Sequence, residues 1–169
     1  LIASENGVRS TFLVRLSSVV PTKEIRVVVR KLFQVLLGLT LIYTGTLHLT
    51  FRRLEFQAQV PPWLGLDPDL VVLTSGYVEI ALGISLLTLW KFRREAGLAT
   101  ALFFILIFPG NIRQYVDGID AFGLDTDRKR AVRLLFQPLL VLWALWSTNA
   151  LKKYLLRARR DSNPKPSDP

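Results

Sequence analysis

The sequence predicts an all-α protein: a bundle of four transmembrane helices with both termini on the cytoplasmic, stromal or matrix side. Three observations predict it. Half of the 169 residues are hydrophobic and the mean hydropathy is +0.33, high for a soluble domain. The apolar residues gather into four blocks of 17 to 20 residues. A helix rising 1.5 Å per residue needs about 20 residues to cross a hydrocarbon core about 30 Å thick. Finally, the charges fall between these blocks, where basic loops meet lipid headgroups.

The first block is LFQVLLGLTLIYTGTLHLTF, residues 32–51. Pro21-Thr22 reads as a turn, with Thr22 as N-cap and Glu24 in the first helical turn, so this helix is expected to begin near Lys23. The second block is VVLTSGYVEIALGISLLTLW, residues 71–90. The third is AGLATALFFILIFPGNI, residues 96–112, with Asn111 near its end, just after Pro109-Gly110. The fourth is VRLLFQPLLVLWALWSTNA, residues 132–150. In hydrocarbon the backbone must satisfy its own hydrogen bonds, so each block reads as a helix. A soluble bundle would show a polar face at helical period, whereas these blocks hold only isolated polar residues.

Three regions follow. Residues 1–31 form a basic N-terminal segment, with 10–20 expected either at the membrane interface or loose. Residues 32–150 form the membrane domain. Residues 151–169 form a basic, then Pro/Ser-rich tail, expected to be disordered from Arg157. No methionine occurs, even at position 1, so the natural start is expected to lie outside this chain. The net charge is +9. With four crossings, 15 of the 22 Lys and Arg fall on the side of the termini and the 91–95 loop, which should face inward. The basic residues sit at membrane edges, so lipids and not nucleic acid are the expected partners.

Orientation brings the polar residues together. His48 lies about one turn below the outer surface, and Glu79 lies about nine residues into the second helix, near the midplane. Asn111 is at the outer end of the third helix. Arg133 is one turn into the fourth, with Gln137 deeper. Ionisable groups at such depth face the bundle interior and pair, so Glu79 is expected to meet Arg133 or His48. These five residues form the candidate polar pocket. Each also has a plain structural reading. His48 can face the headgroups, and Asn111 and Gln137 can repair backbone freed by Pro109 and Pro138. Gln34 reads as interfacial, near the inner surface. Gly38, Gly45, Gly76 and Gly83 read as close helix contacts. Trp63 and Trp90 read as interfacial anchors, and VPPWLGLDPD, residues 60–69, as a cap over the outer mouth.

Soluble-enzyme chemistry finds little support. A phosphate loop, GxSxG and HExxH are all absent. One histidine and no cysteine leave no metal or haem site for this chain alone. Asp125-Thr126-Asp127 lacks the closing glutamate of a calcium loop and reads as a helix cap. No independent catalytic activity is expected.

The ordered motifs GTLHLTF, PPWL, SGYVEIALGISLL, FPGNI and RLLFQPLLVLWALW resemble the DoxX-like family of small four-helix membrane proteins over about residues 32–148. The resemblance maps family positions onto Gly45 and His48, Glu79, Phe108-Pro109 with Asn111, and Arg133 with Gln137. It implies a four-helix bundle with an outward-facing polar pocket. Members are associated with quinone-coupled thiosulfate oxidation, with membrane oxidoreductase complexes and with chaperoning of membrane proteins. The expected function is therefore an accessory subunit of a larger energy-converting or redox complex, partnered by other membrane subunits. The alternatives are a quinone- or lipid-handling oxidoreductase subunit and a membrane-protein chaperone. In the oxidoreductase alternative, His48 and Glu79 exchange protons and Arg133 holds an anionic group. A bound quinone or lipid is the only cofactor this implies. The expected location is an organellar (chloroplast or mitochondrial) inner-type membrane or a bacterial inner membrane.

Overall fold

The computed structural model describes residues 22–152 together with Leu155, Ala158 and Ser162. The segment 10–20, the side chain of the expected Thr22 cap and most of the tail from Arg157 lie outside the described residues. Among the described residues the fold is all-helical and holds no strand. Helix α1 spans Thr22–Leu49, the short α2 spans Arg53–Gln57, α3 Pro68–Thr88, α4 Arg93–Val116 and α5 Asp127–Ser147. Single 3₁₀ turns, Pro62–Leu64 and Trp90–Phe92, precede and follow α3.

Local chemistry sets these boundaries. Asp67 caps α3 by accepting from the Asp69 N–H, with Pro68 at the first position, where its missing N–H costs nothing. Thr126 caps α5 by accepting from the Lys129 N–H. Gly65 closes the first 3₁₀ turn at φ 66°, a left-handed conformation that glycine adopts without strain.

The third helix passes its expected end near residue 112: α4 runs through Pro109-Gly110 to Val116. A proline removes one intrahelical hydrogen bond, freeing the carbonyl four residues earlier. Here the Gln137 amide donates to the neighbouring Phe104 carbonyl at 2.6 Å, placing a donor beside the break. The extra turns carry Arg113 and Gln114, whose side chains are both partnered. The polar stretch before α5 therefore shortens to about residues 117–126.

Helix α1 packs most extensively on α3, and α4 on α5. The α1–α3 contact runs through glycines: a Cβ on Gly83 would lie 2.6 Å from the Gly38 carbonyl oxygen, and one on Gly45 2.7 Å from that of Gly76. Small residues let helix backbones approach this closely. On the other pair, Gly97 lies directly against Thr148. The end of the bundle where α1 begins and α5 finishes is tied by Arg30 Nη1 to Asn149 Oδ1 (2.5 Å) and by Trp143 Nε1 to the Phe33 carbonyl (3.0 Å). Gln34 is fully buried rather than interfacial, and its amide donates to the Leu86 carbonyl at 2.7 Å.

Polar side chains are buried beside an apolar core while large apolar side chains face outward. Gln34, Glu79, Asn111, Gln114 and Gln137 are buried, while Leu36, Leu39, Leu102, Leu106, Leu135 and Leu139 are exposed. Two helical segments, Pro68–Thr88 and Trp90–Val116, are long and apolar enough to cross a membrane. A soluble core helix of that composition would be mostly buried. Only 28% and 39% of these apolar windows are.

Candidate functional site

The two helix pairs enclose a cavity of about 500 Å³, and His48, Glu79, Asn111, Arg133 and Gln137 all line it. Its two walls carry separate polar systems.

The α1–α3 wall holds the first. The Ser75 hydroxyl donates to the Val72 carbonyl at 2.9 Å, so its oxygen accepts from His48 Nδ1, also at 2.9 Å. That assignment turns His48 Nε2 toward Glu79 Oε2, 3.8 Å away. The separation is too long for a direct hydrogen bond. Glu79 Oε2 is buried and has no hydrogen-bond partner. Of the two expected partners, Glu79 thus meets His48. No ion pair joins it to Arg133 among the described residues. His48 is held from above by Phe56 of α2, ring centroid to ring centroid 3.5 Å.

The second system runs along α4 and α5. Asn111 Nδ2 donates to Gln137 Oε1 at 2.8 Å. That leaves Asn111 Oδ1 to accept from Arg133 Nε at 3.3 Å. Gln59 Nε2 donates to Gln114 Oε1 at 2.8 Å, leaving Gln59 Oε1 to accept from Arg133 Nη2 at 3.2 Å. Gln114 is anchored in turn by the Ile119 and Ala121 carbonyls. Asn111 therefore does not serve as backbone repair, whereas Gln137 bonds both backbone and Asn111. The guanidinium also sits 4.7 Å from the centre of the Phe122 ring, a cation–π contact. Phe122 is left-handed at φ 58°, a strain of about 1–3 kcal/mol for a bulky residue, and its ring packs against Phe56 as well.

The outer rim is latched by ion pairs. Arg53 and Gln57 of α2 both bond Asp69 at the start of α3. Glu55 pairs with Arg52 and accepts from the Phe122 N–H at 2.5 Å. The Arg52 partner, then the Phe122 N–H, hold the Glu55 carboxyl below its ordinary range. Asp125 is likewise lowered by Lys129. Arg130 is buried and pairs with Asp120 and Asp127. Trp63 lines the cavity while 73% exposed, and Trp90 stands exposed at the opposite end of α3.

Sequence reasoning missed Gln59, Ser75, Gln114, Phe56 and Phe122. Ser75 stands four residues before Glu79, and Gln114 three after Asn111, so helical spacing would have found both once α4 was extended. Gln59, Phe56 and Phe122 lie outside the four blocks and carry no periodic signal. No group of three or more His, Asp or Glu side chains that could hold a metal ion occurs among the described residues.

Residues 37–148 match the family described as a domain of unknown function, DUF8561, and the chain belongs to that family. No curated protein and no solved structure matches the chain.

Proposed function

We propose that this member of the DUF8561 family is an integral membrane protein whose four long helices cross the bilayer and whose cavity binds a lipophilic small molecule by its polar end. Helix α3 supports the crossing. Its 21 residues span about 31 Å, close to the hydrocarbon thickness, and Trp63 and Trp90 flank it where interfacial anchors belong. Helices α1 and α5 carry the same exposed leucine flanks. The Lys and Arg asymmetry supports an orientation with both termini inside.

The observation that carries the binding reading is the open cavity of about 500 Å³ between two unjoined polar systems. Ligand sites commonly fall in this size range, with apolar walls and a few fixed polar groups. A purely structural polar lock, as expected of an accessory subunit, would close Glu79 onto Arg133. Instead Glu79 Oε2 is buried without a partner and faces His48. The DoxX-like resemblance stands beside this reading, because the positions it marks, apart from Gly45 and Phe108, line the cavity.

The test is thermal unfolding in detergent against a panel of lipophilic compounds. A ligand that binds only the folded state stabilises it by about 2.7 kcal/mol at a hundred times its Kd. Stabilisation should appear for wild type and vanish for Thr44→Trp, which fills the cavity, while the variant keeps its helicity. Equal shifts in both proteins would place binding outside the cavity.

A further inference from the structure

The cavity also specifies a head group. We infer that its ligand is a single-chain oxyanion amphiphile, a hydrocarbon chain ending in a carboxylate or phosphate, seated on Arg133. The inference rests on the binding reading above. A guanidinium carries five N–H donors. One, on Nε, goes to Asn111 Oδ1 and one, on Nη2, to Gln59 Oε1, both neutral amide oxygens. Those amide oxygens are aimed at Arg133 because each amide nitrogen is bound elsewhere. The Phe122 ring packs against the guanidinium, 4.7 Å from its central carbon. What remains are the two Nη1 hydrogens and the second Nη2 hydrogen, enough donors for two oxygens of one carboxylate or phosphate.

Charge points the same way. Among the described residues no carboxylate pairs with Arg133, although the side chain is drawn into an apolar bundle where an uncompensated cation is costly. The remaining ionisable groups lining the cavity, His48 and Glu79, face each other. His48 already donates through Nδ1, so one proton between Nε2 and Oε2 makes that pair electrically neutral. Arg133 is then the net charge of the cavity, and an oxyanion balances it.

The rest of the cavity suits a hydrocarbon chain. Leu37, Leu41, Ile107 and Leu140 form its walls. Leu106 and Phe136 line it yet are 68% and 56% exposed, so its mouth opens on the apolar flank of the bundle. A chain can enter there from lipid without crossing water.

The test uses purified, delipidated protein in detergent with cis-parinaric acid, a fluorescent 18-carbon carboxylate, and its methyl ester. The acid should bind at least tenfold more tightly than the ester. Arg133→Gln should weaken the acid at least tenfold and leave the ester unchanged, and Arg133→Lys, which keeps the charge, should retain part of the preference. Competition by dodecanoate against dodecyl phosphate then separates the two sources, free fatty acid or lipid phosphate. Equal binding of acid and ester by wild type would overturn the oxyanion assignment and leave the pocket standing. Binding of neither probe by folded protein would overturn both. The wild-type comparison needs no variant to fold.

Discussion

Replacing Gly83 by alanine tests the close backbone approach of α1 to α3. The new Cβ would lie 2.6 Å from the Gly38 carbonyl oxygen, 2.7 Å from Ile42 Cγ1 and 3.1 Å from the Ile42 nitrogen, where ordinary contact begins at 3.4 Å. Two of these atoms are backbone, so no rotamer change relieves them. Helix α1 must recede from α3 by about 0.8 Å at this crossing. Overpacking of this kind costs about 1–3 kcal/mol. The better helix propensity of alanine offsets at most about 1 kcal/mol. Lipid tails fill no gap between helices any better than the partner helix does, so little else compensates. The expected net loss is about 1–2 kcal/mol. Gly83 pairs with Gly38, toward the inner end, so ligand affinity should change less than about twofold. Gly76→Ala differs, because its Cβ would fall 2.8 Å from His48 Cβ. That variant should lose ligand affinity as well as stability. The assay is reversible SDS unfolding in mixed micelles, followed by tryptophan fluorescence and paired with ligand titration. A Gly83→Ala protein as stable as wild type, or more so, would refute the glycine-mediated approach of α1 and α3.

Three further outcomes are expected. Gln59→Leu deprives Gln114 Oε1 and Arg133 Nη2 of their buried partners and should cost about 2 kcal/mol in the same SDS titration, at the usual penalty for an unsatisfied buried group. An unchanged midpoint would mean that the amide chain does not form. Glu55 has its carboxyl lowered in the folded protein from an ordinary 4.5, so its latch on Phe122 holds above that value and is lost as pH falls through the lower folded one. The chain has no native cysteine, so spin labels at positions 54 and 124 can report the distance between α2 and the loop before α5. It should lengthen on acidification below 4.5 and already be long at neutral pH in Glu55→Gln. A distance insensitive to both would exclude the latch. Gly97→Ala would bring a Cβ to 1.9 Å from Thr148 Oγ1 and 2.6 Å from Thr148 Cβ, so it should unfold more readily than wild type, and Gly97→Ala with Thr148→Gly, which removes both atoms, should recover part of the loss.

Much of the cavity was legible because depth in a membrane helix is simple arithmetic. At about 1.5 Å per residue, antiparallel apolar blocks put His48, Glu79, Asn111, Arg133 and Gln137 at neighbouring levels. Their pairing was not legible. Whether Glu79 turns to His48 or Arg133 depends on the rotation of α3 about its axis, which the Gly45–Gly76 contact fixes. The end of α4 was not legible because the apolar run stops at Ile112, while the polar turn 113–116 continues the helix with the Arg113 and Gln114 side chains partnered. Gln34 misled because residue type and depth suggested an interface, while the facing Leu86 carbonyl supplied a buried partner. Gln59, Phe56 and Phe122 were hidden in segments without periodicity, where only the folded loops bring them over Arg133 and His48.

Native mass spectrometry of the protein extracted gently from its own membrane tests the central claim most directly. A membrane-embedded pocket predicts a chain carrying one small lipophilic molecule, released at low collision energy and absent from Thr44→Trp. A bare, folded chain held in fixed stoichiometry with other membrane subunits would contradict it and return the polar residues to a structural lock.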